Sequence, residues 1–75
     1  MLLSEYKFNA KYKIEKIICA EKTCKRLNNI GLTNGTIISV VRCAPFGDPL
    51  EIKVRDFYLA IRLNLAKQIE VIEIE

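Results

Sequence analysis

Apolar and polar residues alternate in several stretches of the chain, and this period of two predicts five β-strands. The stretches cover residues 11–18, 36–43, 50–55, 57–62 and 69–71, with a short extension over 72–75. In the first stretch the alternation slips by one residue at Lys16, which predicts a β-bulge. The third stretch alternates most strictly and directs Leu50, Ile52 and Val54 to the core.

A different spacing predicts one short helix between the first two strands. Ala20, Cys24, Leu27 and Ile30 recur at intervals of four, three and three residues, which places them on one helical face. Gly31 follows and is suited to the left-handed conformation that ends many helices. Five strands and one helix in so short a chain predict a mainly β fold, a small and partly open barrel, because closing the sheet buries one of its faces.

The domain division follows from where this pattern begins. Residues 1–10 show no clear period, so we interpret them as a loose arm that lies against the edge of the domain. Residues 11–75 are then a single domain. A short helical turn is expected at residues 64–67, capped by Asn64.

The stretch between the second and third predicted strands contains Pro45, Phe46, Gly47, Asp48 and Pro49. Each proline fixes φ, removes a backbone donor and keeps its predecessor out of the helical region, so strand pairing must stop here. The glycine and aspartate between the prolines favour a tight turn. The sequence therefore predicts a stiff surface loop that carries an aromatic side chain near its tip.

Charge and composition narrow the function classes. The net charge is +3, but residues 1–44 carry +5 and residues 45–75 carry −2. This uneven distribution can orient the protein on a partner, but a charge of +5 is too small to indicate nucleic-acid binding by itself. The chain has no histidine, which excludes Ser-His-Asp and Cys-His nucleophiles. The three glycines lie too far apart for a phosphate-binding loop. We therefore expect a protein that is not an enzyme.

The three cysteines are Cys19, Cys24 and Cys43. An odd number in a chain whose N-terminus lacks a secretory pattern predicts reduced thiols and a cytoplasmic location. Cys24 lies on the apolar helix face and is interpreted as a small buried hydrophobe. Among the aromatic residues, Tyr12 and Phe57 are expected in the core, which leaves Tyr58 and Phe46 exposed.

Four short motifs in the right order resemble the bacterial FeoA family. They are Gly31-Leu32 within residues 30–36, Ala44-Pro45 and Gly47-Asp48-Pro49 within residues 40–52, and the final arginine of Leu59-Ala60-Ile61-Arg62. The resemblance covers roughly residues 12–71. It implies an SH3-like barrel and a small cytosolic accessory protein of ferrous iron uptake that associates with the transporter FeoB and its GTPase region. Asp56 departs from the family, which usually has glycine in this hairpin, so an altered or strained turn is expected there.

The leading hypothesis is therefore an adaptor that docks on a FeoB-type transporter, without membrane insertion and without a required cofactor. The residues expected to contact this partner are Ile30, Gly31, Leu32, Ile37, Val41, Pro45, Phe46, Gly47, Asp48 and Pro49.

Two alternatives remain open. A module that binds or senses a transition metal ion, iron included, would use Cys43, Asp48 and Glu51. A barrel that binds nucleic acid or peptide would use Lys11, Lys13 and Lys16, although nucleic acid is not expected. Homo-oligomers are a further possibility, because Ile37 and Val41 give the outer face of the second strand an apolar character.

Overall fold

Every strand predicted from the alternation is present in the computed structural model, which describes residues 1–74; Glu75, the end of the predicted extension, lies outside the described residues. The strands are β1 (Lys11–Ile17), β2 (Ile37–Cys43), β3 (Leu50–Val54), β4 (Phe57–Ile61) and β5 (Ile69–Ile74). The helices are α1 (Glu21–Asn29), α2 (Leu63–Ala66) and a 3-10 turn (Leu3–Glu5).

The five strands form one antiparallel sheet in the order β4-β3-β2-β1-β5. Strand β1 lies between β2 and β5, and β4 and β5 are the two outer strands of the sheet. This arrangement confirms the prediction of a mainly β, partly open barrel with one short helix between the first two strands. No helix within residues 1–74 is long and apolar enough to span a membrane.

Two irregularities bend the sheet. The register between β1 and β5 shifts between Ile14 and Lys16, which confirms the bulge predicted from the slipped alternation. A second shift, between Val40 and Arg42 in the β2–β3 ladder, was not anticipated. Extra residues at these points strengthen the local twist, which helps a short sheet to curl around its core.

The core is built from the inward residues of the strands and from single residues of the two helices. Leu50, Ile52 and Val54 are completely buried, as the strict alternation of β3 predicts. Of the four residues on the predicted apolar face of α1, only Leu27 is buried. The remaining core residues are Leu3, Tyr12, Ile14, Leu32, Ile38, Val40, Ile61, Ala66, Ile69 and Val71.

The segment 1–10 is ordered on the barrel and is not a loose arm. Leu3 is completely buried in the core. The Lys7 backbone N–H donates to the Tyr12 hydroxyl over 2.7 Å, and Phe8 forms an isolated β-bridge with Val40. The segment lies against the sheet as expected, but its apolar side chain contributes to the same core as the strands.

Two cysteines differ from the prediction of reduced thiols. Cys19 and Cys24 form a disulfide that joins the connection after β1 to the first turn of α1, and both are half-buried. Cys24 is therefore a bridging residue and not a buried hydrophobe. Cys43 is the free cysteine.

Three smaller predictions are also corrected. Strand β5 continues to Ile74, because its register with β1 extends to Lys11. Phe57 is 37% exposed and lies outside the core. The hairpin between β3 and β4 places the positive φ, 57°, at Arg55 and not at Asp56.

Candidate partner-binding surface

The loop between β2 and β3 is closed by its own backbone. The Ala44 N–H donates to the Pro49 carbonyl over 3.0 Å, and the Gly47 N–H donates to the Ala44 carbonyl over 2.8 Å. Gly47 has a φ of 83°, a conformation that side chains other than glycine rarely adopt. These bonds and the two prolines fix the path of the chain from Ala44 to Pro49, as the sequence predicts.

Asp48 ties this loop to α2. Its Oδ1 atom accepts a hydrogen bond of 2.9 Å from the backbone N–H of Leu63, the first residue of α2. A carboxylate in this position satisfies one of the free N–H groups of the helix and interacts favourably with its dipole. Asn64, predicted to cap this turn, makes no such bond, since the N-cap residue is Arg62. The cap thus comes from a residue 15 positions away in the sequence.

Phe46 is the most exposed large hydrophobic side chain within residues 1–74, at 99% of its full accessible area. Aromatic side chains in water lose a large unfavourable hydration term when a partner covers them. Because the loop is already fixed, covering Phe46 costs little backbone entropy. The fixed loop therefore holds the Phe46 side chain out in solvent.

The other predicted contact residues do not form one patch with the loop. Leu32 is 1% exposed and packs in the core, so a partner does not reach it. Ile30 is 38% exposed at the end of α1, where Gly31 takes a φ of 89°. Ile37 is 49% exposed on β2 and Val41 is half-buried. Ile30 and Ile37 line two different grooves.

The groove beside Ile30 lies between α1 and β4 and has a volume of about 640 Å³. Its apolar lining includes Leu27 and Ile30 from α1, Leu59 from β4 and Leu65 from α2. The alternation of apolar and polar residues alone does not predict this groove, because its walls come from elements that are distant in the chain. The one available signal was the apolar character of Leu59 and Leu65 outside the buried set.

The groove beside Ile37 has a volume of about 490 Å³ and is lined by Lys11, Lys53 and Arg55. Lys11 and Lys53 both lie opposite Ser39 in the sheet, so they belong to one row across three strands. Lys16 is separate from them, because it pairs with Glu70 in the β1–β5 ladder. Lys11 and Lys16, both proposed to bind nucleic acid or peptide, therefore lie at two different places on the sheet.

The residues considered as metal ligands have other partners. The Oε1 atom of Glu51 lies 3.0 Å from Nε of Arg42, and Asp48 binds the start of α2. A hydrogen bond with the Cys43 side chain, followed by burial and the charge of Cys43, raises the pKa of Tyr6 above its ordinary value. In the described part of the chain, no group of three or more cysteine, aspartate or glutamate residues is arranged to hold a metal ion.

The architecture defines a class of protein before any comparison is made. It is a small SH3-like β-barrel with a helix inserted after its first strand. The sequence profile of the FeoA domain matches residues 1–73. The chain belongs to the FeoA family.

Solved structures of FeoA proteins match over nearly the whole chain. FeoA from Chlorobium tepidum, solved by NMR, superposes with a TM-score of 0.94 at 32% identity, covering 100% of this chain and 71% of that one. FeoA from Stenotrophomonas maltophilia, solved in complex with zinc and described as an SH3 domain protein, has a TM-score of 0.76 at 28% identity, covering 95% and 88% of the two chains.

A curated relative combines two proteins in one chain. It is the Fe(2+) transport protein A/Fe(2+) transporter FeoB fusion protein of Porphyromonas gingivalis, which is 38% identical over 47 residues. The match covers 63% of this chain and only 6% of the relative. In that relative, a FeoA segment and the transporter FeoB are covalently joined.

Proposed function

We propose that this protein is a non-catalytic accessory of ferrous iron uptake that binds the cytoplasmic GTPase region of a FeoB-type transporter. The observation that carries the proposal is the loop with Phe46 at its tip, which is closed by backbone bonds and anchored through Asp48. The fusion of a FeoA segment to FeoB in P. gingivalis supports the choice of partner, because domains that act together are often joined in one chain.

The physical case for Phe46 rests on interface energetics. A few anchor residues contribute most of the binding energy of an interface, and large aromatic side chains that fill a pocket on the partner are prominent among them. Truncating such an anchor costs about 2 kcal/mol or more, which is roughly a thirtyfold loss of affinity. Phe46 has the required exposure, and its loop is already in one conformation.

The experiment is a pulldown of a full-length, detergent-solubilised FeoB-type transporter and, separately, of its soluble cytoplasmic region. We expect the wild-type chain to retain both, and Phe46→Ala to retain much less of either. Phe8→Ala is the matched control, because Phe8 is also exposed, at 53%, but lies on the N-terminal segment. Absence of both transporter forms from the wild-type pulldown would overturn the proposal.

Metal binding by the isolated chain is the second candidate function, and the zinc complex of S. maltophilia FeoA is the observation that favours it. Cys43 is the free thiol, and Asp48 and Glu51 are the acids nearest to it in the sequence. An adaptor without a resident metal predicts no thiolate charge-transfer band when cobalt(II) is added. A strong stoichiometric band that is lost in Cys43→Ser would support the metal function instead.

A further inference from the structure

One outer strand of the sheet, β4, has backbone groups that no strand of the barrel uses. The two-residue hairpin pairs Val54 with Phe57, and hydrogen-bonded and non-bonded pairs alternate along an antiparallel ladder. This alternation directs the N–H and C=O groups of Tyr58 and Ala60 away from β3. Because β4 is the last strand in the sheet order, these groups lie on an open edge.

The open edge is the wall of the apolar groove between β4 and α1. Ala60 lines this groove together with Ile30 and Leu59. An added strand would therefore find backbone partners on one side and an apolar surface on the other. Grooves of about 300–1,000 Å³ are of the size that proteins use for ligands, and the volume here is about 640 Å³.

The charge of the residues that line the groove indicates what kind of segment binds there. Its ionisable lining residues are Arg26 and Arg62, and no acid lines it within the described residues. Neither arginine belongs to the ion pairs found in this part of the chain, which are Lys7–Glu73 and Arg42–Glu51. A ligand segment that carries acidic residues is therefore complementary to the two arginines of the groove.

We propose that β4 accepts an extended, acidic segment of a partner protein as a sixth strand of the sheet. Alternate apolar side chains of that segment enter the groove, its backbone bonds Tyr58 and Ala60, and its acidic residues meet Arg26 and Arg62. The five residues of β4 offer an edge of about 17 Å, enough for a segment of similar length. The identity of the partner as the transporter rests on the proposed function, whereas the chemistry of the segment does not.

A second copy of this chain fits the edge less well. The five residues of β4 include no acid, so a second β4 strand lacks the carboxylates that would meet Arg26 and Arg62. Covering these two charges at an interface without a partner opposes association. Sedimentation of the free chain at micromolar concentration is therefore expected to show a monomer, and a dimer that dissociates on Ala60→Pro would overturn the proposal.

The first test uses a proline on the open edge. Ala60→Pro removes a donor that β3 does not use and adds a ring that blocks strand addition, so the barrel itself keeps its ladder. Ala60→Ser is the matched control, since it keeps the N–H. Two binding probes are used: the soluble cytoplasmic region of a FeoB-type transporter, and a labelled nine-residue peptide of alternating valine and threonine with glutamate at both ends.

We expect Ala60→Pro to weaken the binding of each probe by about tenfold or more, which corresponds to the loss of a backbone hydrogen bond together with the added steric block. Ala60→Ser should bind like the wild type. Amide hydrogen exchange at Tyr58 and Ala60 should slow when either probe is bound. Circular dichroism and thermal unfolding of Ala60→Pro show whether the barrel is intact.

The second test reverses the charge of the groove. Arg26→Glu and Arg62→Glu are each expected to weaken peptide binding about threefold to tenfold at low salt, with a smaller effect at high salt. Lys22→Glu is the control, because Lys22 is exposed on α1 and does not line the groove. A peptide in which lysine replaces the terminal glutamates should bind these two variants better than it binds the wild type.

The outcomes separate this inference from the proposed function. If the transporter region binds but Ala60→Pro has no effect and the two amides are not protected, the edge inference fails and the function stands. If the transporter region does not bind, the proposed function is wrong, and the peptide measurements alone decide whether β4 accepts an added strand. Binding of the peptide without protection of Tyr58 and Ala60 also overturns the edge inference.

Discussion

The hydrogen bond from the Leu63 N–H to Asp48 ties the loop to α2, so its removal has two consequences. Replacing Asp48 with alanine leaves the first N–H of α2 without its side-chain partner. Loss of a capping carboxylate costs about 1 kcal/mol, and we expect this value because the bond is exposed to solvent. For a chain of 75 residues, about 1 kcal/mol lowers the melting temperature by about 6 °C.

Asp48→Asn provides the matched control. Asparagine keeps the oxygen acceptor but loses the charge, and charge-assisted hydrogen bonds are roughly twice as strong as neutral ones. We therefore expect a decrease of about half the size, near 3 °C, in thermal unfolding followed by circular dichroism. Asp48→Ala should also bind the transporter region several-fold more weakly although Phe46 is intact. A melting temperature of Asp48→Ala within about 1 °C of the wild type would refute the anchoring argument.

Three further predictions concern the rest of the barrel. Leu3→Ala should destabilise the fold by about 3 kcal/mol in urea unfolding, because Leu3 is completely buried, whereas Leu3→Met should cost less than about 1.5 kcal/mol. Reduction of the Cys19–Cys24 disulfide, which closes a loop of sequence separation 5, should lower stability by about 2 kcal/mol, and an unchanged urea midpoint would contradict the bond. The pKa of Tyr6, followed by ¹³C NMR, should lie above 10.0 and return toward that value in Cys43→Ala. Since the raised pKa favours the protonated phenol in the folded state, the stabilisation from Tyr6 is complete below pH 10.0 and is lost as pH rises through its folded pKa.

The local pattern of the sequence predicts where the strands lie and which face of β3 is buried. The strict alternation of β3 predicts its buried face, and the slip at Lys16 predicts the bulge, because both depend only on neighbouring residues. The stiff loop was equally predictable, since Pro45 and Pro49 act on their own backbone and on the residue before them. The exposure of Phe46 follows from that loop.

The contacts that were missed join residues distant in the chain. Leu3 is buried in the core although residues 1–10 show no periodic pattern. A single apolar side chain can pack against β5 and α2 without any repeat in the sequence around it. The cap from Asp48 to Leu63 spans 15 residues, and proximity in the sequence favoured Asn64 instead. The groove between α1 and β4 appears only when the packing of the helix across the open sheet edge is known.

Docking of the loop tip on the transporter can be measured by isothermal titration calorimetry with the soluble cytoplasmic region of a FeoB-type transporter. We expect saturable binding by the wild type, a loss of roughly thirtyfold or more in affinity for Phe46→Ala, and a change of less than about threefold for Phe8→Ala. Equal affinities of the wild type and Phe46→Ala, with both proteins folded, would contradict it.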